Sequence, residues 1–365
     1  MGRFIRVLNR LQEAGIPSAK KYRDLFLSIE NIISQFKNLP IGVLPLQEIK
    51  NLKLLMIECG IGDMQDHIFQ VDLKESIKEH IVISGEHIKE IKKGILVLGK
   101  LTNNNSPYKQ LKDRFIKLFR EKYDTQEISL SEVLDPEFGI GFPPQEKIGD
   151  RVFNSLIEKV DLTIDGNMKA SSGNFQVELQ DKADALNIKF VKEDIQLRDE
   201  ELKDLDDKSS TLPNTFSVMG RWLPSGKILL ESVGGAHSNA LLGRFAYLDE
   251  NIDELCKELV DADQQNTSDV IFAEIIFVPE GRIGNIARRP VFREYEIPIL
   301  ACSGANGEKQ IPINDILVSI HNNEIILRSK KLNQRIIPRL SNAHNYGAST
   351  VPAYKFLASI QCQGT

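Results

Sequence analysis

The stretch VIFAEIIFV, residues 270–278, decides how the second half of this chain is read. It is a nearly continuous apolar run, rich in branched side chains and too short for a long helix. That texture predicts a central strand, covered on both faces and paired on both edges. The neighbouring segments fit around it. Upstream, Leu248–Ala262 has the spacing of an acidic amphipathic helix. Before that, FSVMGRWL, the turn Pro224-Ser225-Gly226 and KILLESV predict a hairpin over 217–233. Downstream, Tyr295–Leu300 and Ile313–Ile320 predict strands, and Glu324–Ser329 returns through His321-Asn322-Asn323. Gln334–Leu340 continues the series, and Ala353–Gln361 starts a helix.

The first half has a different texture. Phe4 to Lys37 reads as two helices broken at Gly15-Ile16-Pro17, with Ser18 as a cap for the second. Asn51–Cys59 fits a short helix or a strand. HIFQVDL, residues 67–73, suits a short strand ending near Asp72, a residue type also common at helix caps and turns. His80–Leu101 and the basic segment Tyr108–Tyr123 read as helices, separated by the turn cluster TNNNSP. Residues 127–142, EISLSEVLDPEFGIGF, read as a loop with little regular structure. Further helix (148–159) and strand (175–179) signals follow, then a charge-rich run (192–210) that fits a mobile loop or a solvated helix. The expected architecture is α+β: a mainly helical part over 1–144, then a strand-rich part with a mixed, largely antiparallel sheet over 145–365.

Composition excludes several classes. The 365 residues are 41% hydrophobic and 27% charged with a net charge of −5, an ordinary globular balance and not a surface coated in positive charge. Cys59, Cys256, Cys302 and Cys362 lie far apart without a CxxC pair, which fits a reducing cytoplasm better than a disulfide framework or zinc ribbon. No apolar run reaches the roughly 18 residues needed to span a bilayer. Walker A, GxGxxG, HExxH and GxSxG patterns are missing, and the six histidines form no pair at metal-helix spacing.

What remains is arginine. Arg221, Arg244, Arg282, Arg288, Arg289, Arg293, Arg328, Arg335 and Arg339 all follow residue 220. Arg244 stands out in ESVGGAHSNALLGRFAY, residues 231–247, where Gly234-Gly235 turns the chain, His237-Ser238-Asn239 adds polar groups, and the arginine sits between Gly243 and Phe245. A guanidinium in an otherwise apolar segment is costly unless paired, so it marks either an anion site or a structural ion pair. The same alternatives hold for Arg288, Arg289 and Arg293, which lie near Glu294 and Glu296. The residues alone point to an anion-binding site without a metal and go no further.

The stretches LLGRFAY, AEIIFVPEGRIGNIARRPVFREYEIPI, INDILVSIHNNEIILRSKKLNQRIIPRLSNAHN and VPAYKFLASIQCQG resemble, in order, the amino-terminal part of the lantibiotic dehydratases. QVDL and EISLSEVLDPEFGIGFP resemble upstream pieces of the same family. The resemblance implies a domain that transfers glutamate from glutamyl-tRNA, as co-substrate and without a metal or other cofactor, to Ser and Thr of a precursor peptide. Elimination by a separate domain then leaves dehydroamino acids, in lanthipeptide or thiopeptide antibiotic biosynthesis. It implies Asp72 and Arg244 as catalytic residues, and more weakly His237, Arg282, Arg288, Arg289 and His344 as substrate-binding residues. Arg244 would stabilise an acyl-transfer oxyanion, and Asp72 would orient a hydroxyl or amino group or act as a base. Complete enzymes of this type are far longer, so the chain is expected to be an internal fragment, inactive alone. Its expected partners are the precursor, the tRNA and complementary chains or a homodimer partner. The rival expectation is a catalytically silent peptide- or RNA-binding remnant.

Overall fold

The computed structural model describes residues 2–36, 39–40, 42–60, 68, 70–74, 82–101, 107–144, 215–265, 269–279 and 283–361. The chain divides into two compact units, Met1–Ser76 and Ile77–Thr365. The helix, strand and charged-loop signals over 148–210 lie outside the described residues, as do Arg282 and Cys362.

The first unit carries helices α1 (Gly2–Glu13), α2 (Pro17–Phe36) and α3 (Leu46–Glu58). Gly15, at φ +83°, turns the chain between α1 and α2. Helix α2 begins at Pro17, where a missing N–H costs nothing, so Ser18 lies inside the first turn and is not the cap. Leu8, Ala19, Leu25, Ile29 and Leu52 are the buried apolar positions of this unit. The expected strand at HIFQVDL is not formed among its described residues: 70–74 are irregular, and Val71 and Leu73 are 62% and 68% exposed. The alternation has the period of a strand, but a strand needs a neighbour to pair with, and none pairs here among the described residues.

The second unit contains α4 (Gly85–Leu101), α5 (Pro107–Tyr123), β1 (Ile128–Ser129), α6 (Leu130–Val133), β2 (Ser217–Trp222), β3 (Ile228–Gly234), α7 (Asn239–Leu242), α8 (Glu250–Gln264), β4 (Val270–Phe277), α9 (Gly284–Ala287), β5 (Tyr295–Ile299), β6 (Ile316–His321), β7 (Glu324–Ser329), β8 (Gln334–Arg339) and α10 (Pro352–Ser359). Six strands form one sheet in the order β1-β6-β7-β8-β4-β5. Strand β4 is interior, as its apolar run requires. The pairings β1–β6, β6–β7 and β7–β8 are antiparallel, whereas β4 is parallel to both β8 and β5. The segment between β4 and β5 is long enough for a crossover, which a parallel pair needs. The β6–β7 turn places Asn322 and Asn323 at φ +50° and +63°, the left-handed geometry that a two-residue hairpin demands and asparagine tolerates.

One core joins helical and strand residues. Phe115, Phe119, Leu130, Val133 and Phe142 share a cluster with Ile275, Ile297, Val318, Leu327 and Phe356. Thus α5 turns its apolar side inward, with Phe115 4.9 Å from Phe356 between ring centres, and leaves its basic residues outside. The separate β2–β3 hairpin leans on α4, where the Trp222 ring meets His87 edge-on at 4.5 Å and Leu230 lies over Gly94.

Residues 127–142, expected to be a loop, contribute β1 and α6. Their return is held by Asp135, whose carboxylate accepts the N–H groups of Phe138 (2.7 Å) and Glu137 (2.8 Å). Those two bonds keep Asp135 below the ordinary carboxylate range. Gly139 leaves no room for a side chain: a Cβ there would lie 2.2 Å from the Glu132 carbonyl oxygen and 2.6 Å from those of Val133 and Asp135. Gly139→Ala should therefore destabilise the second unit by about 1–3 kcal/mol, the usual range for overpacking. A thermal melt of the variant beside the parent reads this, and unchanged melting would contradict the crowding.

Candidate functional site

Strands β8, β4 and β5 run parallel, so their carboxyl ends lie on one edge of the sheet. In sheets of this kind, ligands collect at the carboxyl ends of parallel strands. Three of the stretches singled out in the sequence meet beside the loop that leaves the carboxyl end of β8. Gly243 opens a 3₁₀ turn over 243–245 and packs on the backbone of Ser341, where an added Cβ would lie 2.3 Å from the carbonyl oxygen and 3.2 Å from the Phe292 ring. Tyr247 donates its hydroxyl to the Arg289 carbonyl at 2.7 Å, and the Arg288 guanidinium lies 4.6 Å above the Tyr247 ring. LGRFAY is thereby seated against both ARRPVF and RLSNAHN. Arg244 itself is half-buried, with its guanidinium 4.5 Å above the ring of Phe245.

Beneath these residues lies a buried ionic network. In the register of the sheet, Arg339 on β8 faces Glu274 on β4, which faces Glu296 on β5. Asp263, near the end of α8, takes the Arg293 Nη2 at 2.8 Å and the Arg339 Nε at 3.1 Å. Arg293 also approaches Glu274 at 3.5 Å. Arg289 reaches Glu274 at 3.3 Å and Glu296 at 3.9 Å, so one fork spans two neighbouring carboxylates that would otherwise repel. The remaining lone pairs are largely used. Glu274 accepts the Ser341 N–H at 2.5 Å and its hydroxyl at 2.8 Å. Glu296 accepts the N–H groups of Gly304 (2.7 Å) and Ala305 (3.1 Å), together with the Ser303 hydroxyl. Three carboxylates and three guanidiniums balance in formal charge. Burial pulls Arg293 below the usual guanidinium value, with Glu274 and Asp263 opposing the shift.

The two histidines differ. His237 is 1% exposed; burial, reinforced by Arg293 and Arg339, holds it well below the ordinary imidazole value, so it is neutral beside the network. His344 is half-buried, and its Nδ1 lies 2.7 Å from the Tyr354 hydroxyl. The Tyr354 ring stacks on Phe277, the last residue of β4, at 4.1 Å. Burial lowers His344 and raises Tyr354, which keeps the first neutral and the second protonated.

Of the residues singled out in the sequence, Arg244, Arg288, Arg289, His237 and His344 all belong to the stretches gathered in the second unit. Asp72 belongs to the first unit, is exposed, and accepts a hydrogen bond from Gln70 at 3.0 Å. Arg289 reaches the sequence neighbour Glu296 as well as Glu274, Arg293 pairs with Asp263 and Glu274, and Glu294 pairs with Lys309 instead. Arg221, Arg328 and Arg335 pair with Glu231, Glu127 and Glu324. The sequence reading passed over Asp263, Glu274 and Tyr354. Glu274 had a usable signal, being a lone charge inside an apolar strand that must find a partner. Among the described residues no group of His, Cys, Asp and Glu is arranged to hold a metal ion, and no helix is long and apolar enough to cross a membrane.

The sequence model of the family "Lantibiotic dehydratase, N terminus" matches residues 4–365, and the chain belongs to that family. The subtilin biosynthesis protein SpaB of Bacillus subtilis is 25% identical over 147 residues, a match covering 39% of this chain and 14% of SpaB. The tRNA-dependent lantibiotic dehydratase MibB from Microbispora sp. 107891 has the same fold at a TM-score of 0.66 and 17% identity, over 94% of this chain and 33% of MibB. The glutamylation domain of TbtB from thiomuracin biosynthesis, bound to 5'-phosphodesmethylglutamycin, aligns at a TM-score of 0.53 and 16% identity, over 91% of this chain and 42% of that one. The chain thus spans about one seventh of SpaB and one third of MibB.

Asp263→Asn keeps the shape of the side chain but leaves Arg293 and Arg339 with an uncompensated positive charge. It should cost about 3–5 kcal/mol, the penalty for breaking one partner out of a buried ionic group. Denaturant unfolding of the two chains measures the difference, and a change below about 1 kcal/mol would show that the network relaxes freely.

Proposed function

We propose that this chain supplies the acyl-transfer chemistry of a glutamyl-tRNA-dependent peptide dehydratase. In this reading glutamate passes from its tRNA ester to a Ser or Thr hydroxyl of a precursor peptide, which turns a poor leaving group into a good one for later elimination. Membership of the lantibiotic dehydratase family supports the reading. The observation that carries it is the seating of the turn bearing Arg244, by the Gly243–Ser341 contact, against the loop that follows β8. Attack on the ester carbonyl builds negative charge on oxygen, and a half-buried guanidinium offers that oxygen directed donors. Arg288, stacked on Tyr247, faces outward to hold carboxylate or phosphate. Arg289 and His237 are buried and position the others from below. The family resemblance is what supports Asp72 and Arg282 as further functional residues. The precursor peptide and glutamyl-tRNA are the substrates, and complementary dehydratase chains or a second copy complete the pathway step.

Arg244→Ala should lower single-turnover glutamylation on the order of a hundredfold or more, measured with charged tRNA, precursor and complementary chains. Its melting should stay near that of the parent. Arg244→Lys should also fail, because a point charge does not reproduce the fork. Matched losses of melting and transfer would instead identify Arg244 as a structural strut. Full transfer by the alanine variant would remove it from the site and favour a silent binding module.

A further inference from the structure

Beyond Arg244, the edge of the sheet carries a second directed donor. We propose that Tyr354 fixes His344 in the tautomer bearing its proton on Nε2, and that this N–H donates a hydrogen bond to a carbonyl or carboxylate oxygen of the glutamyl donor. The ligand's identity follows from the glutamyl-transfer reading, whereas the tautomer follows from geometry alone.

Tyr354 is 1% exposed, and its hydroxyl has one hydrogen-bond partner among the described residues, the Nδ1 of His344 at 2.7 Å. A buried hydroxyl that only accepted would leave its own proton without a partner, at the cost of desolvating it. The phenol therefore donates, Nδ1 accepts with its lone pair, and the imidazole proton resides on Nε2. Burial supports this assignment by keeping the phenol protonated and the imidazole neutral. The ring is also held in place. Tyr354 lies 5.5 Å from His344 at an interplanar angle of 30°, and 4.1 Å from Phe277 at 22°. The backbone N–H of His344 is fixed by the Asn342 side chain at 3.0 Å. Nε2 makes no hydrogen bond among the described residues, on a side chain that is only half-buried. It sits on the loop that follows β8, the same loop whose Ser341 seats Gly243 and bonds Glu274. A neutral donor of this kind polarises an oxygen without adding charge, and complements the charged fork of Arg244. Tyr354 is the positioning residue and His344 the contact.

Long-range ¹H–¹⁵N correlation spectra of the full chain, with His344→Gln to assign the resonances, read the tautomer directly. His344 should show a protonated Nε2 and a hydrogen-bonded, unprotonated Nδ1. Tyr354→Phe, which removes only the hydroxyl, should move the Nδ1 resonance while the fold persists. A protonated Nδ1 in the parent chain overturns the tautomer. The ligand half is tested with a non-hydrolysable amide of glutamate and 3'-amino-3'-deoxyadenosine, followed by titration. His344→Phe keeps the stacking and should weaken binding about tenfold; His344→Gln, whose amide nitrogen falls near Nε2, should stay within about threefold of the parent. Parent-like binding by His344→Phe overturns the role of His344 and leaves the glutamyl-donor reading standing. A parent chain that does not bind the amide overturns that reading and the ligand half together, while the tautomer stands or falls on the spectrum.

Discussion

Burying six charges at the heart of a sheet is the constraint on which the second unit depends. Glu274 and Glu296 lie side by side on adjacent strands, with Arg339 on the far side of Glu274. Two neighbouring carboxylates in an apolar sheet are unfavourable unless a cation spans them, and Arg289 does so from the segment between the strands. Arg293 and Asp263 close the network toward α8. Such a network adds little net stability compared with well-packed apolar residues, because desolvation offsets most of the attraction. What it supplies is register. A slip of β4 against β5 or β8 would strand charges that have no other partner, so the parallel triple can pair in one way only.

That register has a consequence at the carboxyl edge. Glu274 holds Ser341 through both its N–H and its hydroxyl. Ser341 in turn presents the carbonyl against which Gly243 packs, too close for any larger residue. Placement therefore runs from the buried carboxylate, through the loop after β8, to the turn that carries Arg244. The same loop carries His344. Gly243 and His344 are thus anchored on backbone fixed from below.

Much of this was legible in the sequence. The apolar run at 270–278 announced an interior strand, and the turn chemistry of Pro224-Ser225-Gly226 and Asn322-Asn323 announced two hairpins. The parallel pairing of β4 was not legible, because periodicity reports burial and not strand direction. The strand expected at 67–73 shows the opposite failure: its local pattern was right and no partner is present among the described residues. Glycine beside arginine singled out Arg244 as a candidate, and family resemblance singled out further candidates around it. Tyr354 could not be found, since an aromatic residue in an apolar helix looks like core until its hydroxyl is seen to reach a histidine. Arginine as a residue type was an over-generous signal, because most arginines after residue 220 are paired to carboxylates scattered along the chain.

The charge balance also limits what the buried network does for a ligand. Three guanidiniums against three carboxylates leave no net charge, so the network's field falls off over a short distance and does not by itself draw an anion inward. The chain's formal net charge of −5 does not favour an anion at long range either. Attraction for an anion must then come from groups outside this network, such as the exposed Arg288. Separating the two duties is physically sensible. Buried arginines paired with carboxylates fix the backbone, while Arg289 Nε, Arg293 Nε and Nη1, and Arg339 Nη2 make no hydrogen bond among the described residues. Arg244 and Arg288 stack on Phe245 and Tyr247, and an aromatic face beneath a guanidinium fixes the plane in which its fork presents its donors.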